Sequence, residues 1–119
     1  EITRLGVALG ADPLTFLGLA GVGDLVLTCT GDLSRNRTLG HKVAEGVDPK
    51  SWLESRRSVA EGFYTADAAH ALARQLGLDM PITEQVYHVL HKGRPLKEAI
   101  MLLLSRGSKD ELQGIRAAE

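Results

Sequence analysis

Apolar residues recur along most of the chain at the spacings that place side chains on one face of an α-helix. A first face is formed by Ile2, Leu5 and Leu9 and ends at the next glycine. Asp12 followed by Pro13 is typical of a helix start, because aspartate caps the first turn and proline suits its first position. We expect this second helix to run as far as the stretch AGVG, residues 20–23, which interrupts it.

The same rules predict helices along the rest of the chain. They run from Asp24 to about Cys29, from Ser34 to Ala44 or Glu45 before Gly46, around Trp52 and Leu53 after Asp48, from Thr65 to the stop at Gly77, over MPITEQVYHVLHKG, and from Leu96 to Leu104. Only residues 58–64, SVAEGFY, have a pattern compatible with an extended strand. The chain is therefore predicted to form an all-α domain of six or seven helices over residues 1–106, with a polar tail over residues 107–119.

Composition restricts the class of protein. The chain has 119 residues, which suits one domain with one core. Its formal net charge of -1 gives no reason to expect a nucleic acid or an anionic membrane as a partner, so any anion site must be local. Its single cysteine, Cys29, indicates a reducing compartment and is expected to be a small buried side chain. These features favour a cytoplasmic protein, and the uncapped first helix suggests a piece of a longer chain.

Asp24 and Thr28 are the first candidate functional pair. Residues four positions apart share one helix face, so the carboxylate and the hydroxyl would lie one turn apart. Gly21 and Gly23, just before them, leave room for a ligand or another backbone. Such a pair can hold a cationic group and a substrate hydroxyl. The structural alternative is that Asp24 begins or caps the helix and Thr28 bonds to the carbonyl one turn back.

The run SRNR, residues 34–37, is the second candidate. The first-turn N–H groups of a helix have no partners within it, and the helix dipole favours an anion there. The guanidinium of Arg35 can bind a phosphate through two parallel hydrogen bonds, assisted by the Asn36 amide and the serine hydroxyl. In the structural alternative, the serine is an ordinary cap and the two arginines pair with Asp32 or Glu45.

The stretch VAEG, residues 59–62, is a weaker candidate. The Glu61 carboxylate could reach a cofactor, although a cap or a solvated side chain is the alternative. The histidines have no acid or cysteine at ligand spacing, so no metal site is predicted. We expect surface positions for His41, His70, His88 and His91.

Three blocks, in this order, resemble a known family. They are GLAGVGDLVLTCTGDLSRNRTLG (residues 18–40), VAEG and MPITEQVYHVL (residues 80–90). Together they resemble the C-terminal domain of NAD(P)-dependent sn-glycerol-3-phosphate dehydrogenase of the bacterial type. The likeness runs from RLGVALGADPLTFLGLAG to EAIMLLLSR and covers nearly the whole chain.

The resemblance implies a multi-helical domain of the 6-phosphogluconate-dehydrogenase C-terminal-like type, joined to an N-terminal Rossmann domain. Enzymes of this family interconvert dihydroxyacetone phosphate and sn-glycerol 3-phosphate with NAD or NADP, feeding glycerophospholipid synthesis. The family's catalytic lysines and Gly-rich cofactor loop have no counterpart in this sequence. We therefore expect the chain to be inactive by itself.

Carried over by position, the resemblance also implies site residues. By this resemblance, Asp24 and Thr28 belong to the catalytic cluster, where they lie beside the lysine. The substrate is expected to contact Asp24, Ser34, Arg35 and Asn36. The cofactor is expected to contact Arg35, Val59 and Glu61.

The implied partners are the phosphorylated substrate and the protein's own Rossmann domain, with a homodimer as the candidate assembly. No nucleic acid and no integral membrane contact are expected. Two alternatives stay open: the helical domain of another NAD(P)-dependent oxidoreductase acting on a hydroxy acid, or a non-catalytic helical interaction domain. A preference for unphosphorylated substrates would indicate the first. An apolar surface stripe in place of the polar cluster would indicate the second.

Overall fold

The fold is a set of short helices joined by tight turns. The structure, a computed structural model, describes residues 1–57 and 59–109. Over those residues it has no β-strand, and it contains a π-helical segment and the α-helices α1 (Ile2–Ala8), α2 (Pro13–Leu17), α3 (Asp24–Thr30), α4 (Arg35–Ala44), α5 (Pro49–Glu54), α6 (Gly62–Gln75), α7 (Pro81–Lys92) and α8 (Leu96–Leu104). The all-α prediction is confirmed, and each of the eight stretches predicted to be helical contains an α-helix, so the total of six or seven was too low.

The predicted helix starts are confirmed by their caps. The Asp12 carboxylate accepts a hydrogen bond from Leu14 N at 2.9 Å and so caps α2. The Asp48 carboxylate accepts from Ser51 N at 2.8 Å and caps α5 in the same way. The predicted stops are also confirmed, because four glycines that follow helices have positive φ angles: Gly10, Gly46, Gly77 and Gly93.

The AGVG stretch does not simply interrupt the second helix. The helix α2 ends at Leu17, and residues Leu19–Gly23 form the π-helical segment, which leads into α3. At Gly21 a side chain would collide with the backbone of Phe16. Glycine is therefore required here by a close approach of backbone to backbone.

The expectation of an extended strand over residues 58–64 is wrong for its second half. The helix α6 begins at Gly62, three residues before the predicted start at Thr65, and Ser58 lies outside the described residues. The reason is a cap that comes from a distant helix. Asn36 Oδ1 accepts a hydrogen bond from Gly62 N at 2.9 Å, across 26 positions of sequence.

The helices α6 and α7 form an antiparallel pair held by aromatic side chains. Phe63 and His91 pack at one end, and His91 Nε2 lies 2.7 Å from Phe63 O. At the other end the His70 ring stacks on Tyr87 with centroids 3.9 Å apart. The expectation of four surface histidines is therefore wrong for His70, His88 and His91, which are half-buried in this pair.

The core lies directly beneath the start of α4. Its centre is formed by Leu39 of α4, Ala60 of the connection and Phe63 of α6, all buried. Partly buried side chains from α4, α5 and α7 surround it: Val43, Trp52, Leu53 and Leu90. Burial of these apolar groups fixes α4 against the beginning of α6.

Polar contacts attach one end of the described chain to the first turn of α7 and the other end to the loop between α6 and α7. The Glu1 carboxylate accepts from the backbone N–H groups of Ile82, at 2.6 Å, and Thr83, at 3.0 Å, and so caps α7. Arg106 pairs with Asp79 at 2.8 Å, and Lys109 also contacts that carboxylate. The predicted polar tail from residue 107 lies mostly outside the described residues.

The first thirty residues contrast with the rest of the fold. No residue of α1, α2, the π-helical segment or α3 is buried. Leucines at 14 and 27 are exposed by 71% and 72%. Cys29 is exposed as well, so the prediction of a buried cysteine is wrong. Its helix packs mainly on the π-helical segment, and Leu25, Val26 and Leu27 of that helix are exposed.

Candidate functional site

The start of α4, residues 34–36, is built as a helix N-terminus with open donors. Ser34 Oγ accepts from Arg37 N at 3.2 Å, so the predicted cap is present and occupies one first-turn donor. The N–H groups of Arg35 and Asn36 have no acceptor within an α-helix. These N–H groups point out of the N-terminal end of the helix, where the helix dipole favours a negative charge. The start of α4 can therefore receive an anion.

The two arginines of this run are in different environments. Arg37 Nη1 lies 2.7 Å from Asp32 Oδ1, as the structural alternative predicted for one of them. The other acid considered, Glu45, pairs with Lys42. Arg35 is exposed and has no ion pair within residues 1–57 and 59–109. Its guanidinium thus remains available for a ligand, while Arg37 braces the turn that precedes α4.

The Asn36–Gly62 hydrogen bond brings two predicted stretches together. It places the SRNR run of α4 against the VAEG stretch at the beginning of α6. Glu61 is exposed and its side chain makes no capping hydrogen bond, whereas Val59 is 46% exposed. Residues assigned by resemblance to the substrate and to the cofactor are therefore neighbours at this point of the fold.

Asp24 and Thr28 lie on α3, a separate helix. Asp24 is its first residue and is exposed, in agreement with the structural alternative that it begins the helix. The π-helical segment runs directly into α3, so the first turn of α3 is not an open helix end at Asp24. The hydroxyl that bonds back to the carbonyl one turn earlier belongs to Thr30, 2.7 Å from Val26 O. Among the described hydrogen bonds, none comes from the Thr28 side chain.

The connection from α3 to α4 is short. Residues 31–34 link the two helices, and the ion pair between Arg37 and Asp32 spans that link. Asp24 and Thr30 are the first and last residues of α3, so they are about 9 Å apart along the helix axis, at 1.5 Å per residue. In the described part of the chain no hydrogen bond or ion pair joins Asp24 or Thr28 to the start of α4.

Sequence reasoning missed a cavity that opens beside the start of α4. It has a volume of about 340 Å³ and lies between α4, α6, α7 and α8. Its lining is mostly apolar and includes Leu39, Val86 and Ile100, with the Asn36 amide as one of its few polar groups. The apolar faces of α7 and α8 were predicted from periodicity, but the gap between them depends on helix orientation. No local sequence signal marks it.

Two features are absent from the described residues. These residues contain no cluster of three or more His, Cys, Asp or Glu side chains arranged to hold a metal ion. None of their helices is long and apolar enough to cross a membrane.

Comparison with known proteins identifies the family. The family model described as NAD-dependent glycerol-3-phosphate dehydrogenase C-terminus matches residues 1–101. This chain belongs to that family. A glycerol-3-phosphate dehydrogenase [NAD(P)+] of Geobacter sulfurreducens is 57% identical over 111 residues, covering 93% of this chain and 33% of the relative. The Staphylococcus carnosus protein of the same name is 52% identical, with the same coverage.

A solved structure agrees with the sequence relatives. The crystal structure of glycerol-3-phosphate dehydrogenase from Coxiella burnetii superimposes with a TM-score of 0.80 at 44% identity. The match covers 87% of this chain and 32% of that protein. The chain thus spans about a third of the length of these relatives, and the resemblance stated from the sequence is confirmed.

Proposed function

We propose that this chain supplies the helical, substrate-binding part of an NAD(P)-dependent glycerol-3-phosphate dehydrogenase. The enzyme would interconvert dihydroxyacetone phosphate and sn-glycerol 3-phosphate in glycerophospholipid synthesis, in the cytoplasm. The observation that carries the proposal is the family match over residues 1–101, with relatives of that name at 52–57% identity. NAD or NADP would be held mainly by a preceding Rossmann domain, which is the first partner we propose.

The start of α4 is the proposed phosphate anchor. Arg35 would bind the phosphate with its guanidinium, and the backbone donors of the first turn would share the charge. The Asn36 amide and the Ser34 hydroxyl complete the donor set. The exposed, unpaired state of Arg35 among the described residues supports this role, because a guanidinium already engaged by an acid would have to break that pair first.

Asp24 and Thr28 would act on the other end of the substrate. In the proposed enzyme, a lysine outside this chain exchanges a proton with the C2 oxygen. The Asp24 carboxylate would pair with that lysine, orienting it and favouring its protonated form. Thr28, one turn on, would donate a hydrogen bond within the same cluster. The exposure of both side chains leaves them accessible to a preceding domain.

The residues next to the Asn36–Gly62 hydrogen bond fit a cofactor edge. Arg35, Val59 and Glu61 are exposed there and present a guanidinium, a backbone segment and a carboxylate. When bound, the nicotinamide supplies the hydride exchanged with C2 of the substrate. The chain's own contribution is to fix the phosphate, which holds that carbon in place for the transfer.

Arg35→Ala in the full-length enzyme tests the phosphate anchor. We expect the KM for dihydroxyacetone phosphate to rise roughly 10- to 100-fold, as for loss of a charge-assisted hydrogen bond, with a small change in the KM for the nicotinamide. Arg74→Ala is the matched control, because Arg74 is exposed in the last turn of α6 and makes no ion pair in the described residues. Steady-state kinetics with each substrate varied would measure both. An unchanged KM in Arg35→Ala would contradict the anchor.

A substrate screen separates the proposal from the hydroxy-acid alternative. The full-length enzyme should reduce dihydroxyacetone phosphate and leave unphosphorylated ketones and 2-oxo acids largely unused. Equal rates with phosphorylated and unphosphorylated substrates would favour the alternative. The 119-residue chain alone should show no turnover, since the proposed lysine lies outside it.

A further inference from the structure

In the proposed site the Asn36 side chain makes hydrogen bonds to two partners, the backbone of Gly62 and the phosphate of the substrate. Its Oδ1 accepts from Gly62 N at 2.9 Å, and this closes the start of α6, where Glu61 provides no side-chain cap. A backbone N–H can only donate, so the amide oxygen must face α6. The Nδ2 group then carries the two remaining hydrogen-bond donors of the side chain, which suit a phosphate oxygen.

The space for this arrangement comes from the missing side chain of Gly62. A Cβ atom there would lie 2.8 Å from Oδ1, 2.9 Å from Cγ and 3.1 Å from Nδ2 of Asn36. Such distances are shorter than the roughly 3.5–4.0 Å of favourable contacts between heavy atoms, so the amide would be displaced. The φ angle of Gly62 is not positive, so the backbone conformation itself does not demand glycine. The constraint comes from the Asn36 amide, because a methyl group at position 62 would force the end of that side chain to shift.

We propose that Gly62 is a positioning residue of the phosphate site. It lets the Asn36 amide lie flat against the first turn of α6, with its oxygen fixed and its Nδ2 donors held for the substrate. This inference rests on the proposed function, because it requires Asn36 to bind the phosphorylated substrate. Gly62 itself touches neither substrate nor cofactor and acts through Asn36.

A double-mutant cycle in the full-length enzyme tests the inference. Gly62→Ala should raise the KM for dihydroxyacetone phosphate about fivefold or more, with kcat changed much less. In an Asn36→Ala background the same change should have almost no further effect, since the group that it displaces is gone. Gly40→Ala is the matched control: it also adds a methyl group in a helix, but the new Cβ would meet nothing within 4 Å. Its KM should stay within twofold of the wild type.

Asn36→Asp separates the cap from the phosphate contact. The aspartate still accepts from Gly62 N but loses both donors and places a negative charge beside the phosphate. Its KM should rise at least as much as in Asn36→Ala. Hydrogen–deuterium exchange of the peptide at the start of α6 should remain slow in Asn36→Asp and become faster in Asn36→Ala.

The outcomes distinguish this inference from the proposed function. If Asn36→Ala raises the KM and Gly62→Ala adds its full effect in both backgrounds, or has none, the positioning role is overturned and the phosphate role of Asn36 stands. If Asn36→Ala leaves the KM unchanged, both are overturned. Wild-type exchange at the start of α6 in Asn36→Ala would also overturn the inference, because the cap would then be unimportant.

Discussion

Neighbouring side chains of the same type have different environments in this protein, and the environment decides their use. Arg37 is held by Asp32 at 2.7 Å, whereas Arg35, two positions earlier, is exposed with no ion pair in the described part of the chain. The sequence could not distinguish them, because both lie within reach of the same acids. The geometry of the cap determines which arginine forms the ion pair, because the turn that Ser34 fixes directs Arg37 back towards Asp32.

Asp24 permits a test of the proposed catalytic cluster at single-residue level. Asp24→Asn in the full-length enzyme should lower kcat roughly 10- to 100-fold, because the proposed lysine would no longer have a negatively charged carboxylate beside it. Stability should change little, because Asp24 is exposed and makes no ion pair in the described residues. Steady-state kinetics and thermal unfolding followed by circular dichroism would measure the two effects.

The matched control for Asp24 is Asp67→Asn. Asp67 is an exposed aspartate on α6 that makes no ion pair in the described residues. Its kcat should equal that of the wild type. Wild-type turnover in Asp24→Asn would show that this carboxylate serves only the helix.

At the scale of elements, local signals predicted most helix boundaries. Asp12, Ser34 and Asp48 cap the helices that they were expected to cap, because an N-cap needs only a side chain two or three residues before its donor. The start of α6 was missed, and it depends on a distant partner, because Asn36 caps it. The start of α7 was predicted, but its cap by Glu1, 81 positions before Ile82, was not. Such pairs are created by folding and leave no spacing to detect.

The candidate site was predictable to the same extent. The Ser34 cap and the donors that follow it come from local rules, and the structure contains them. The proximity of the VAEG stretch to α4 is a tertiary contact, and the sequence supplied it only through resemblance. The ligand roles of all the candidate residues remain predictions, because no contact among the described residues tests them: Asp24, Thr28, Ser34, Arg35, Asn36, Val59 and Glu61.

The α6–α7 pair should make stability depend on pH. Burial and the nearby Arg94 hold the pKa of His88 below its usual value, against the weaker opposing effect of Glu84, and His70 and Lys92 also lower it. The unfolded chain therefore binds a proton at His88 more readily than the folded chain does. As the pH falls through the usual histidine pKa of about 6.5, the free energy of unfolding should decrease.

Urea unfolding of the protein at pH 7.5 and pH 5.5 would measure this dependence. The wild type should be less stable at pH 5.5, and His88→Gln should reduce the difference between the two values. His41→Gln is the control, since His41 is exposed on α4 and should leave the difference unchanged. An equal pH dependence in wild type and His88→Gln would contradict the role of His88.

At the scale of the whole molecule, the chain has a well-packed part and an open part. The core beneath α4 is covered by α5, α6 and α7, whereas the region from α1 to α3 exposes apolar side chains along its length. The described fold is elongated, about 50 Å in its longest dimension and 24 Å in its shortest. An apolar surface of this extent is typical of an interface rather than of a surface facing water. In the proposed enzyme the Rossmann domain would cover it.

This exposed surface predicts how the 119-residue chain behaves alone. Without a covering domain, the chain should self-associate. Each Å² of apolar surface that is removed from water contributes roughly 25 cal/mol of favourable free energy. Sedimentation velocity over a hundredfold range of concentration should show a species larger than a monomer that grows with concentration.

Leu14→Glu combined with Leu27→Glu should shift it to a monomer, since both side chains are more than 70% exposed on this surface. Leu104→Glu changes a leucine that is 79% exposed on α8, outside this surface, and should leave the association intact. A monomeric wild type at every concentration would contradict the prediction, whereas equal loss of association in all these variants would place the contact elsewhere.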